Sequence, residues 1–206
     1  LTLGELWAVP IMLRLALIEN LRRVAARVAD DRMQRDLANT WADQMTDVAE
    51  RNPSGLILLV ADMARSNPPI TSAFVAELSR RLQGQSPSLT LALSWLTHKL
   101  AESGLTIEQQ IQSEIGQQAA DQVSIANSIG SLRFLGTMDW QEFVETMSVV
   151  EQTLRLDPAG TYGLMDFATR DSYRHAIERI AKRSARSEVE VAEMVVQLAH
   201  THGNGN

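Results

Sequence analysis

A chain of 206 residues with 45% apolar and only 5% aromatic side chains suffices for one large domain or two small ones, with a core of Leu, Ile, Val, Ala and Met. It has no cysteine, which excludes disulfides, thiolate metal sites and a cysteine nucleophile. The formal charge of −6 falls wholly on residues 104–206, with 14 acidic and 8 basic side chains against 11 of each in residues 1–103. That balance does not fit a chain-wide nucleic-acid footprint, although residues 170–186 form a basic island with six basic and two acidic groups.

The spacing predicts helices throughout. Thr2 and Glu5 match a capping box, and Leu6, Val9, Leu13, Leu17, Leu21, Val24 and Val28 follow at intervals of three and four. Ile11, Leu15 and Ile18 widen that face to the breadth of a central bundle helix, which Pro10 should kink or split. An interfacial membrane helix is the competing reading of this stretch, with Arg22, Arg23 and Arg27 after it. The apolar run at residues 6–13 is too short to span a bilayer, which needs about 20 residues. A second helix is expected at residues 31–50, and others at 56–64, 71–82 and 89–100. The break at residues 83–88 is a candidate subdomain boundary within a single helical domain, 1–206.

Thr106 with Gln109 opens a long helix whose inner side reads as Ile107, Ile111, Ile115, Gln122, Ile125 and Ile129, interrupted at Gly130. Asp139 opens a helix running to Leu154, Asp166 caps the next, and Ser187 caps a last helix ending near Ala199. The tail HTHGNGN reads as frayed, the start shows no charged n-region followed by a cleavage site, and both ends are expected to be cuts in a longer protein. The fold class is therefore all-α: a bundle of about eight helices, with two packed sub-bundles as an open arrangement.

Residues 165–184 carry the densest ionisable cluster. Asp166–Arg170, Asp171–His175 and Arg174–Glu178 are i,i+4 pairs, with Tyr173, Ala176, Ile177, Ile180 and Ala181 toward the core. The plain reading is a salt-linked outer face; the functional one is an anion- or partner-binding face of Arg170, Arg174 and Arg179. Catalysis by Asp166, Asp171 or Glu178 is a third reading, without a spacing that fixes two carboxylates around a bond. Trp140, Glu142 and Tyr162 supply the aromatic and polar types that contact sugars, and Trp140 serves equally as a packing anchor. No dinucleotide fingerprint, phosphate loop or nucleophile elbow occurs, and His200-Thr201-His202 is at most a loose metal ligand, so no cofactor is expected.

Two long strings carry a resemblance. LTLGELWAVPIMLRLALIENLRR at residues 1–23 and ANSIGSLRFLGTMDWQEFVETMSVVEQTLRLDPAGTYGLMDFATRDSYRHAIERIA at 126–181 resemble a segment of the bacterial cyclic β-1,2-glucan synthases. PPITSAFVAELSRRL and TIEQQIQSEIGQQAADQVS fit the same region. The resemblance implies a portion of a very large inner-membrane glycosyltransferase that uses UDP-glucose, upstream of its transferase part and on the cytoplasmic face. The transferase signature of separated Asp residues with Gln-x-x-Arg-Trp is absent, so no catalytic residue transfers to this chain. The implied role is a non-catalytic interaction module partnered by other domains of the same polypeptide. The alternative is a carbohydrate-binding module holding the nascent β-1,2-glucan.

Overall fold

The computed structural model describes residues 1–203; residues 204–206 of the tail and the side chain of His202 lie outside that description. Among the described residues the elements are helical, without a strand: α1 (Leu3–Arg51), α2 (Leu56–Ser66), α3 (Ser72–Leu82), α4 (Thr90–Ala101), α5 (Ile107–Thr137), α6 (Trp140–Met147), α7 (Val149–Leu154), α8 (Phe167–Lys182) and α9 (Glu188–Gly203). The all-α class is as the periodicity predicts. Backbone contacts divide the chain into two compact units, Ile18–Ile129 and Leu1–Leu17 with Gly130–Asn206, so α1 and α5 contribute to both. Residues 83–88 fall inside the first of these units, between α3 and α4.

The helix boundaries depart from the sequence reading at four places. Pro10 does not split α1, which runs unbroken for 49 residues and absorbs the separate helix expected at 31–50. A proline inside a helix forfeits one backbone hydrogen bond, but Leu3, Leu6 and Pro10 are all buried on one face, and that packing holds the turn. Gly130 does not interrupt α5, which continues to Thr137. The single helix expected after Asp139 is two, because Ser148 takes an extended backbone and accepts from the Glu151 N–H to cap α7. Finally, α9 stays helical through Gly203, beyond the end expected near Ala199.

The caps stand where the sequence places them. Thr2 and Glu5, Thr106 and Gln109, and Ser187 and Glu190 each exchange the reciprocal hydrogen bonds of a capping box. Asp139 accepts from the Gln141 and Glu142 N–H groups, and Asp166 from that of Thr169 at 2.7 Å.

In unit 18–129 the core joins Ala38, Ala42 and Met45 of α1 to Val60 and Met63 of α2, Phe74 and Leu78 of α3, and Leu96 of α4. The alanines let neighbouring backbones approach closely. Toward the start of this unit α1 lies antiparallel to α5 along a seam that is mostly polar. Asn20 donates to Ser124 and Ser128 at 2.9 Å each, Arg27 pairs with Asp121, and Arg35 pairs with Glu114 at 2.7 Å. Within this unit the buried positions of α5 are Ile107, Glu114, Asp121 and Ser128, a seven-residue repeat of a two-helix seam. Ile115 and Ile129, expected inside, are exposed, because the inward line falls one position earlier.

In unit 1–17 with 130–206, Val150 and Leu154 of α7 meet Ile177 and Ala181 of α8 and Val191 and Ala192 of α9. A second cluster sets Leu3 and Leu6 of α1 against Val144 of α6. The Leu3 N–H donates to Glu188 at 2.8 Å, and Trp7 meets Phe167 edge-on at 6.4 Å. The start of α1 is thereby tied to α8 and α9. Its apolar surface is not central in a bundle, however: Ile11, Met12, Leu13 and Leu15 are exposed because the inward line runs through residues 3, 6 and 10. No helix among the described residues is long and apolar enough to cross a membrane.

Candidate functional site

The densest chemistry in the structure gathers around Glu151. The break at Ser148 starts α7 afresh and turns Glu151 inward beside Val150 and Leu154, all three buried. On α8 the buried line is Arg174, Ile177 and Ala181, so Arg174 takes the place that Tyr173 and Ile180 were expected to fill. Those two residues are each 50% exposed, whereas Arg174 is wholly buried. The reason is chemical: Arg174 there meets the carboxylate that α7 presents.

Arg174 donates to Glu151 at 2.5 Å and to Asp171 at 3.0 Å, and its guanidinium lies 5.0 Å from the centre of the Phe167 ring. Arg174 Nε is buried without a protein acceptor. The Tyr162 hydroxyl donates to the same Glu151 oxygen, Oε2, at 2.7 Å, and Arg155 donates to Oε1 at 2.8 Å. Arg170 donates to Glu145 at 3.1 Å and to the Met165 carbonyl, and lies 3.3 Å from Glu151. Three carboxylates, Glu145, Glu151 and Asp171, thus meet three guanidinium groups, Arg155, Arg170 and Arg174.

Electrostatics follow from that balance. Burial would raise the Glu151 pKa, but hydrogen bonds from Tyr162 and Arg174 outweigh it and hold the carboxyl below its ordinary range. Burial disfavours the Arg174 cation, yet Asp171 and Glu151 raise its pKa further. Burial and the bond to Glu151 push the Tyr162 phenol well above its usual value. Carboxylates and guanidinium groups are thus matched in number, and each is bonded within the cluster.

The sequence-predicted residues divide accordingly. Arg170 and Arg174, expected on an outward face, turn inward to Glu145 and Glu151, while Arg179 is exposed. Asp166 is spent as a helix cap, Asp171 on Arg174 and His175, and Glu178 on His175 and Lys182. Trp140 is half-buried, its indole N–H donating to the Leu135 carbonyl at 2.9 Å and its ring edge-on to Phe143. Tyr162 is buried with its hydroxyl on Glu151, and Glu142 is exposed. Sequence reading missed Glu145, Glu151 and Arg155. The available signal was Glu151 itself, a carboxylate directly beside Val150 and one turn from Leu154 on an apolar face. Among the described residues no group of His, Cys, Asp and Glu is placed to hold a metal ion.

Comparison with known proteins gives one informative match. The chain is 35% identical over 201 residues to cyclic beta-(1,2)-glucan synthase NdvB of Rhizobium meliloti (strain 1021), a match that covers 96% of this chain. It spans only 7% of that protein's length. The resemblance carried by the two long strings is thus shown over nearly the whole sequence. No known family profile matches the chain. No solved structure matches it either.

Proposed function

We propose that this chain is a non-catalytic helical portion of a cyclic β-1,2-glucan synthase, which packs against other domains of the same polypeptide. The observation that carries the reading is the 35% identity along 96% of the chain to a segment amounting to 7% of such a synthase. The parent protein would transfer glucose from UDP-glucose to a growing glucan and close the ring, at the cytoplasmic face of a bacterial inner membrane. The site chemistry supports an accessory role. Its carboxylates are held by arginines, a phenol or helix N–H groups, bonds that tie them into the fold. The carbohydrate-holding alternative gains no support from Trp140 or Tyr162, whose polar tips are used internally.

The test uses the full-length synthase. Amide replacement of the carboxylates, Glu142→Gln, Asp171→Asn and Glu178→Gln singly, leaves glucan yield per assembled protein unchanged. Arg174→Leu lowers the amount of assembled protein and the yield together. A single carboxylate replacement that stops glucan synthesis at normal protein level would overturn the accessory reading.

A further inference from the structure

A cavity of about 210 Å³ opens in the unit 1–17 with 130–206, and the Glu151 cluster uses only one of its walls. Its lining includes Tyr162, Tyr173, Met165 and Asp157, closed on the α9 side by Val195 and Val196. The two tyrosine rings stand 6.1 Å apart at 76°, forming two walls of a corner. Tyr162 is the fixed wall, buried and anchored through its hydroxyl to Glu151, whereas Tyr173 is half-exposed at the mouth.

Among the described residues Asp157 is the one carboxylate in this lining, and the charge of His200 on α9 also acts on it. Its oxygens accept from the backbone N–H groups of Thr161 at 2.9 Å, Tyr162 at 3.1 Å and Ala159 at 3.3 Å. Those bonds, that of Tyr162 foremost, hold the carboxyl below its ordinary range, so it is charged at neutral pH. Among the described residues no lysine or arginine lines the cavity. The space is therefore anionic, walled by π faces and aliphatic groups, and poor in free hydrogen-bonding atoms.

That combination selects its ligand by elimination. An anion is repelled by Asp157. A polyol finds few donors and acceptors, and a primary ammonium finds only what the single N–H bond to Asp157 Oδ1 leaves free, since Oδ2 already accepts two. A cation coated in methyl groups needs none and is attracted by the aromatic corner of Tyr162 and Tyr173 and by the carboxylate. From this geometry we infer that the cavity binds a small quaternary ammonium group.

The test titrates tetramethylammonium into the full chain and follows the Met165 methyl and Tyr173 ring signals by NMR, with sodium chloride and tert-butanol as matched controls. Saturable shifts are expected with tetramethylammonium and not with either control. Tyr173→Leu, which keeps an apolar wall but removes the ring, weakens binding about tenfold. Asp157→Asn, which keeps an acceptor for the turn, weakens it severalfold. Equal response to tert-butanol would overturn the inference, as would undiminished affinity in a folded Tyr173→Leu variant. Free choline and phosphatidylcholine vesicles then separate the sources: binding of free choline marks a soluble ligand, and Tyr173-dependent co-sedimentation with vesicles alone marks a lipid headgroup.

Discussion

Around Glu151, three carboxylates meet three guanidinium groups; along the α1–α5 seam of residues 18–129, Asp31, Glu114 and Asp121 face only Arg27 and Arg35. Glu151 is the more deeply buried, at 1% exposure, yet its pKa is lowered. Asp31 is only partly buried, and its pKa is raised, first by burial and then by the Glu114 charge. Glu114 and Asp121 behave like Glu151, because Arg35 with Gln118 and Ser72, and Arg27 with Gln117, bond them directly. Depth alone therefore does not decide whether a buried carboxylate helps the fold. The number and quality of hydrogen bonds to its ionised form decide it.

The sharpest way to break this contrast is to remove one partner of the neutral cluster. Arg174→Leu strands Glu151 without its main cation and should cost about 3–5 kcal/mol, read by chemical denaturation. A double variant that also carries Glu151→Gln should recover much of that loss, and a double-mutant cycle gives the coupling. Acid titration probes the same charges. The Glu151 pKa is depressed on folding, so its contribution is present above the ordinary Glu value near 4.3 and is lost as pH falls through the folded value. Thermal stability measured down through that window should therefore drop, and Glu151→Gln should flatten the drop.

In the polar seam the effects are smaller. Glu114→Ala removes bonds to Arg35, Gln118 and Ser72 and should cost about 2 kcal/mol in the stability of residues 18–129. Asp139→Ala deletes the α6 cap and should cost about 1 kcal/mol, measurable as a lower Tm. Asp31→Asn should act in the opposite direction. A raised folded pKa means that this carboxyl favours folding below its unfolded value and loses that contribution as pH rises through the folded one. Removing its charge should stabilise the protein at pH 7 by up to about 1 kcal/mol and leave it unchanged once the native carboxyl is protonated.

Much of the fold was legible because its signals are local. Thr2, Thr106, Asp139, Asp166 and Ser187 cap helices where their side chains reach their own following N–H groups, a matter of three residues. The alternation that identifies α3 or α4 as an amphipathic helix is equally local. The candidate site was less legible. The Arg170–Arg174 pair was visible as a basic island, but its direction was not, since helical spacing allows Tyr173 or Arg174 to face inward. The choice fell to Glu151, separated from Arg174 by 23 positions. The same holds for α5, where isoleucines at 115 and 129 looked like the inner face until Arg27 and Arg35 claimed the line through Glu114 and Asp121.

Caps, periodicity and long matching strings all reside in neighbouring residues, and they were enough for the all-α class, nearly every helix start and the resemblance to a glucan synthase segment. Tertiary structure alone decided that Pro10 and Gly130 stay inside continuous helices, that Ser148 breaks one, and which charges are buried. The buried charges are set by partners distant in the chain, as Glu151 is from Arg174, and the packing of Leu3, Leu6 and Pro10 outweighs a local proline preference of about 3 kcal/mol.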